Sequence, residues 1–171
     1  MKNVVFLDVD GVLNCVTTKQ MTPSGFIGIM PSRVKLLKQI VEENDADIVL
    51  VSSWKSVWSK NPDIMELMRS TDGHYLNEQL AAFDLKILNK TNDNDYDRGH
   101  GIVEYLKKHP YKNIVILDDE IFSDYYPLGL LNYLIKTGYG PNGGLKPKHV
   151  RIARRILEGK PYIVHDINAD K

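Results

Sequence analysis

The chain of 171 residues has very little cysteine and no net charge, and both absences limit what it can be. Its single cysteine, Cys15, excludes an internal disulfide framework and a zinc centre built on several thiolates. The 22 basic and 22 acidic residues cancel, so no overall basic field attracts nucleic acid, although a local patch still could. No apolar run approaches the about 20 residues that cross a bilayer, and the start lacks the apolar core of a signal peptide. We therefore expect a soluble, cytoplasmic protein, and nothing indicates a membrane or an obligate protein partner.

The hydrophobic pattern predicts a single α/β domain over residues 1–171. A hydrophobic fraction of 43% with 26% charged residues is typical of a globular chain. Short runs rich in β-branched residues at 4–7, 48–51 and 114–117 read as buried strands. They alternate with amphipathic stretches, one capped by Ser32 and one over 101–108. This alternation favours a mainly parallel sheet covered by helices on both faces.

The remaining segments give weaker signals. The expected further elements are a short helix after Pro62, helices at 79–82 and 150–157, and strands at 85–88 and 131–135. The rest of the chain is divided into a flap at about 14–30, a helical insertion at about 56–94 and a tail at 160–171.

Polar residues follow each of the three clearest strands. They are Asp8-Val9-Asp10, Ser52-Ser53 and Asp118-Asp119. Ligands of an open parallel sheet collect outside the carboxyl ends of its strands, so these clusters should face one crevice. Carboxylates that converge there repel one another unless a cation lies between them. Mg²⁺ is the usual cation where oxygen ligands meet a phosphate, so the pattern predicts a Mg²⁺ site.

The same segments carry a resemblance to a known family. Residues 4–14 (VVFLDVDGVLN) resemble the first motif of the haloacid dehalogenase (HAD) superfamily of phosphotransferases. Residues 48–52 resemble its second motif and 114–119 its fourth, in the Asp-Asp form. The variant SSWK at 52–55 is similar to a small-capped branch that includes phosphatase domains of RNA-repair proteins. The resemblance implies a Rossmann-like three-layer α/β/α sandwich with a minimal cap.

The resemblance also implies a role for each acidic residue. Asp8 would be the nucleophile of a Mg²⁺-dependent phosphatase and would form an aspartyl-phosphate, while Asp10 would be the general acid and base. The implied metal ligands are Asp8, Asp10 through its backbone carbonyl and Asp118, while Asp119 would bind the metal directly or hold its waters. Ser52 would bind a phosphate oxygen, with Ser53 as the alternative for that role.

The third motif of the family is a Lys or Arg near the start of a helix, and here three residues compete for it. Arg98 lies about 20 residues before the acidic fourth motif and is the preferred phosphate-binding cation. Lys90 and Lys55 are the alternatives. For Trp54 and Trp58, four residues apart, core packing is favoured over a place in the pocket or the stacking of a base.

The expected partner is a phosphorylated substrate. The flap is too short for an independent cap domain, and an open site suits a nucleotide, a nucleic-acid end or a phosphoprotein side chain. One alternative is a non-catalytic regulatory domain that binds metal or phosphate, as receiver domains do. Receivers lack an acidic residue two positions after their phosphoacceptor, so Asp10 favours turnover. A metal-dependent nuclease is the other alternative.

Overall fold

The β-branched runs form the strands of a single parallel sheet. A computed structural model describes residues 1–93 and 96–160 of the chain. The strands are β1 (Asn3–Leu7), β2 (Ala46–Leu50), β3 (Ile87–Lys90), β4 (Ile114–Asp118) and β5 (Leu134–Lys136), in the order β3-β2-β1-β4-β5. All neighbouring pairs are parallel. The strand order reverses between β1 and β4, and such a switch point is where a parallel sheet opens a crevice.

Helices cover both faces of this sheet. They are α1 (Pro31–Glu43), α2 (Pro62–Leu67), α3 (Asp72–Ala81), α4 (Arg98–Lys108) and α5 (Pro147–Leu157), with 3₁₀ turns at Ser53–Val57 and Leu131–Tyr133. Side chains alternate along β1: Val5 and Leu7 join the core under α1 and α5, whereas Val4 and Phe6 join the core under α4. The predicted Rossmann-like three-layer α/β/α sandwich is therefore confirmed. No helix within the described ranges has both the length and the apolarity to span a membrane.

Helix α1 begins one residue before the predicted cap. Met30 is the N-cap residue, Pro31 is the first helical residue, and Ser32 lies inside the helix. The predicted cap at Ser32 was therefore wrong. The reason is that proline is preorganised for the first helical position, which moves the helix start upstream.

Other element boundaries also differ from the predictions: α4 and α5 each begin three residues earlier than predicted, and α3, β3 and β5 differ as well. Helix α3 covers Asp72–Ala81 rather than 79–82, because the Thr71 hydroxyl accepts the backbone N–H of His74 and caps it. The strand expected at 85–88 is β3, two residues later, because the N–H of Leu85 is still bonded to Leu80. The strand expected at 131–135 begins only at Leu134, after a 3₁₀ turn.

The predicted flap and the predicted insertion differ from each other in secondary structure. The flap contains an isolated antiparallel bridge between Met21 and Ile27. The 56–94 segment holds α2, α3 and strand β3 of the main sheet, up to residue 93. Of the predicted tail, residues 161–171 lie outside the described residues, as do residue 94 of the insertion and residue 95 after it.

Helix α3 approaches the 53–57 turn so closely that only glycine fits at the contact. A Cβ on Gly73 would lie 1.9 Å from the carbonyl oxygen of Val57. Since a backbone atom cannot rotate away, the substitution Gly73→Ala must push the turn and the helix apart. This contact fixes the turn that follows the second strand.

We expect Gly73→Ala to lower the free energy of unfolding by about 1–3 kcal/mol, the usual cost of overpacking. The clash outweighs the about 0.5–1 kcal/mol that alanine gains over glycine in a helix. Thermal and urea unfolding measure the change. Gly138→Ala is the matched control, since a Cβ there has no neighbour within 4 Å. Equal stability of the two variants would contradict the packing argument.

Candidate active site

Three carboxylates meet where β1 and β4 end. Asp8 follows β1 and its N–H bonds the carbonyl of Leu117 at 2.9 Å, which places it beside Asp118 and Asp119. One oxygen of each carboxylate lies within 4.8 Å of the others. Asp8 is 5% exposed and Asp118 is fully buried. The convergence expected from the strand ends is therefore present in the structure.

The cluster carries more negative charge than its surroundings compensate. Burial raises the pKa of Asp8 well above its ordinary value, and the nearby Asp118 and Asp119 raise it further. Burial also raises the pKa of Asp118. Burial, then the charges of Asp118 and Glu120, raise the pKa of Asp119 to about 6. A divalent cation would relieve this repulsion, and three carboxylate oxygens are the donors that Mg²⁺ prefers.

Arg98 is the positive charge that contacts these carboxylates. It is the first residue of α4, and its Nη1 lies 2.7 Å from Asp118 Oδ2 and 3.3 Å from Asp8 Oδ1. Burial acts to lower the pKa of Arg98, but Asp8 and Asp118 outweigh burial and raise it. The guanidinium also lies over the Phe122 ring, 4.2 Å from its centroid. Arg98 thus links Asp8 to Asp118 in the fourth motif.

A buried carboxylate holds the first turn of α4, from which Arg98 extends. Asp124 is 7% exposed, and its Oδ2 accepts the backbone N–H of His100 at 2.9 Å. The helix N-terminus is left with unpaired N–H groups, and an external carboxylate satisfies one of them. Asp124 therefore helps to fix the position of Arg98.

The two competing lysines have other described partners. Lys55 Nζ lies 2.6 Å from Asp93 Oδ2. Lys90 Nζ donates to the carbonyls of Lys55 and Trp58, each at 2.6 Å, and burial followed by the charge of Lys55 lowers the pKa of Lys90. Their described contacts stabilise the turn after β2. Of the three candidate cations, Arg98 is the one that the described contacts bring to Asp8.

The two serines after β2 face different surroundings. Ser52 is fully buried, its hydroxyl accepts the backbone N–H of Trp54 at 3.3 Å, and its interaction with Asp8 lowers the pKa of that carboxyl. Ser53 is exposed and lines a cleft. Ser52 is therefore the serine next to Asp8.

Asp10 stands apart from the three clustered carboxylates. Its Oδ1 accepts the Asn14 side-chain amide at 2.9 Å, and its Oδ2 accepts the Trp54 indole N–H at 2.9 Å. The Asn14 oxygen in turn accepts the N–H of Gly11. Both oxygens of Asp10 are thus oriented by neighbours, so its side chain is not part of the cluster. The predicted metal contact through its backbone carbonyl stays a prediction.

Trp54 has both of the roles considered for it: it packs in the hydrophobic core and it borders a cleft. Its ring is 8% exposed and belongs to the main hydrophobic core, as predicted. Its N–H nevertheless reaches Asp10, and its ring borders a cleft. Trp58 instead donates its N–H to Asn77. The signal for Trp54 was its place two residues after Ser52 in the second motif.

Sequence reasoning missed the side chains that support the first and fourth motifs. The Tyr125 hydroxyl donates to Asp118 Oδ2 at 3.0 Å, and the Thr137 hydroxyl donates to the Gly11 carbonyl at 2.5 Å. Gly11 has φ +70°, and a Cβ there would lie 2.5 Å from the side chain of Asp119. Tyr125 and Thr137 come from segments without a motif, so no sequence signal indicated them.

A cleft of about 680 Å³ opens beside Asp10. The flap forms one wall, the 53–57 turn forms another, and Tyr139 completes the lining. Asp10, two residues after Asp8, is the residue of the first motif that lines this cleft.

We expect the stability of the metal-free protein to fall as pH rises from about 4 to about 6. A carboxyl such as Asp119, whose pKa is about 6 when folded and about 3.9 when unfolded, binds more protons in the folded state within that window. Asp119→Asn removes one repelling charge. It should raise the metal-free Tm at about pH 7.5 by about 2–4 °C and reduce the gain in Tm on adding Mg²⁺.

Differential scanning fluorimetry with EDTA or Mg²⁺ at several pH values measures both effects. Glu120→Gln is the matched control, since this exposed neighbour is not one of the three clustered carboxylates and should keep the Mg²⁺ gain. An Mg²⁺ gain that is equal in the wild type and Asp119→Asn would contradict a cation site at Asp119.

Comparison with known proteins agrees with this geometry. No curated protein and no solved structure showed significant similarity to the chain. A family model described as the HAD domain in Swiss Army Knife RNA repair proteins matches residues 4–150. The match includes all four of the predicted motifs and most of the chain. The chain therefore belongs to this family of HAD domains.

Proposed function

We propose that this HAD-type hydrolase is a Mg²⁺-dependent phosphomonoesterase that acts through an aspartyl-phosphate on Asp8. The observation that carries the proposal is the placement of Asp8 between Ser52, Arg98 and the two acidic residues of the fourth motif. Membership of the HAD family supports a hydrolase. The chemistry and its cofactor are our inference from the site.

The carboxylate cluster fits the cofactor. Asp8, Asp118 and Asp119 offer oxygen donors close enough to share one ion, and their raised pKa values are consistent with buried carboxylates whose charge Arg98 offsets only in part. Bound Mg²⁺ would neutralise the negative charge of the nucleophile and of the phosphate, which otherwise repel each other.

Asp8 performs the first step. A carboxylate oxygen of Asp8 forms a bond to phosphorus as the bond from phosphorus to the leaving oxygen breaks. Arg98 and Ser52 lower the pKa of Asp8 against the effect of burial, so they favour the ionised form that attacks. We also assign to Ser52 a hydrogen bond to a phosphate oxygen.

Asp10 moves the protons. In the first step it gives a proton to the leaving oxygen, and in the second it takes one from the water that attacks phosphorus. Phosphate then leaves and the Asp8 carboxylate is restored. Asn14 and Trp54 hold both oxygens of Asp10, so its orientation is fixed before substrate binds.

This arrangement favours turnover over the two alternatives. A regulatory domain that only binds metal or phosphate needs no oriented acid beside its phosphoacceptor. A nuclease would use the same carboxylates on a phosphodiester, without a covalent intermediate on Asp8. The substrates we propose to test are nucleotides, phosphorylated nucleic-acid ends and phosphoprotein side chains.

We expect release of phosphate from a generic aryl phosphate to require Mg²⁺ and to fall to background in Asp8→Asn. Asp10→Asn should still accept a phosphoryl group from such a good leaving group but release it slowly, because no base activates the water. Acid quenching and peptide mass spectrometry would then find the phosphoryl group on the peptide that contains Asp8.

The alternatives predict different results. A binding domain would release no phosphate from any member of a broad phosphomonoester panel. A nuclease would cut internal phosphodiesters without freeing phosphate from ends. A phosphorylated intermediate that persists in Asp8→Asn would contradict the assignment of the nucleophile.

Trp54→Phe should lower kcat about tenfold or more, because it removes a hydrogen bond to a charged group, a bond worth about 1.5–3 kcal/mol. The phenyl ring keeps most of the buried volume, so the fold should survive. Trp58→Phe is the matched control, since that indole donates to Asn77 and not to Asp10. Equal kcat values for the two variants would show that the Trp54 bond does not orient Asp10.

A further inference from the structure

In the flap, large apolar side chains are exposed to solvent rather than packed in the core. Phe26 is 68% exposed and Met21 is 56% exposed, and both line the cleft that begins at Asp10. Exposed large apolar groups that line one cleft mark a ligand or partner surface. Trp54 and Tyr139 add two further aromatic rings to the lining.

The flap is a built structure rather than a loose loop. The N–H of Thr22 donates to the carbonyl of Phe26 at 2.9 Å, and the Thr22 hydroxyl accepts the Phe26 N–H at 3.1 Å. Helix α3 anchors the flap, since Asp72 accepts the N–H of Ser24 and the Tyr75 hydroxyl accepts the N–H of Ile29. Phe26 is thus held in an exposed position by the hydrogen bonds around it.

The charge of the cleft decides what it can bind. Its charged lining residues among those that the structure describes are Asp10 and Asp72, and no lysine or arginine lines it there. A chain of phosphates would be repelled by two carboxylates and would find no cation to pair with. The part of a substrate that enters this cleft must therefore carry little negative charge.

The polar side chains that line the cleft further restrict the class of ligand that can bind there. Ser24, Ser53 and Ser56 present neutral groups that donate and accept hydrogen bonds. Together with Phe26 and Tyr139 they suit a flat ring attached to a hydroxylated group. A nucleoside has both parts: a base that stacks on aromatic side chains and a sugar with hydroxyls.

We propose that this cleft binds one nucleoside as the leaving group of the phosphate ester, with its base against Phe26. The inference rests on the proposed phosphatase function and adds a specificity to it. Because no basic track continues along the cleft, the nucleotides beyond the first contribute little. A nucleoside monophosphate should therefore be as good a substrate as a longer strand with the same terminal phosphate.

The experiment compares kcat/KM with Mg²⁺ for substrates that differ in one part. Nucleoside 5′-monophosphates are compared with ribose 5-phosphate, which lacks only the base, and the 3′-monophosphates are tested beside them. A 5′-phosphorylated oligonucleotide and a phosphotyrosine peptide complete the set. We expect the base to raise kcat/KM about tenfold and the oligonucleotide to match the mononucleotide at low and high salt.

The preference for the base is the ratio of kcat/KM for a nucleoside 5′-monophosphate to kcat/KM for ribose 5-phosphate. The variant Phe26→Ala should reduce this ratio about tenfold. Tyr126→Ala is the matched control, because Tyr126 is 80% exposed and does not line the cleft. The Tyr126→Ala variant should show the same kcat/KM ratio as the wild type. Since the Phe26 side chain is mostly exposed and the hydrogen bonds to Thr22 involve the backbone of residue 26, the substitution should leave the fold intact.

The failures can be told apart. Hydrolysis of all the esters without a preference for the base, or with a ratio unchanged by Phe26→Ala, would overturn this inference alone. A phosphotyrosine peptide or an oligonucleotide preferred about tenfold over the mononucleotide would also overturn it. No phosphate release from any ester, including an aryl phosphate, would contradict the proposed function and the inference together.

Discussion

The rest of the site depends on the repulsion among three carboxylates that the sheet forces together. Parallel strands β1 and β4 end side by side, so Asp8 and Asp118 have no room to separate. One guanidinium, that of Arg98, contacts both and offsets part of their charge. Burial raises the pKa of all three carboxyls, and the charges of neighbouring carboxylates raise those of Asp8 and Asp119 further, so the cluster could hold a cation. The fold thus holds at this edge an unfavourable interaction that a bound cation would relieve.

The side chains around the cluster act as two separate groups. Ser52 and Arg98 contact Asp8, where they favour its ionised form. Asn14 and Trp54 contact Asp10, where they fix a carboxylate that is free of the cluster. The division matches the different tasks proposed for the two residues, since a nucleophile must be charged and close to the cation, while an acid and base must gain and lose a proton. Two carboxylates separated by one residue can have different roles because they have different neighbours.

The parts of the site that could be predicted are those tied to the ends of regular elements. Strand ends indicated Asp8, Ser52 and Asp118, because a buried apolar run followed by a polar residue is visible in the sequence. The positions of Trp54 and Thr137 relative to their partners could not be read in this way. Their hydrogen bonds join residues 44 and 126 positions apart and depend on how loops pack in three dimensions. Boundaries such as that of α1 were missed because a proline next to a potential cap decides the helix start locally.

The central claim is that the carboxylate cluster is a divalent cation site, and anomalous diffraction tests it most directly. Mn²⁺ prefers the same oxygen ligands as Mg²⁺ and scatters anomalously, so crystals of the full chain grown with Mn²⁺ would reveal where the ion binds. The account predicts an anomalous peak between the carboxylates of Asp8, Asp118 and Asp119. A map with no peak there, or with the ion bound only elsewhere on the chain, would contradict it.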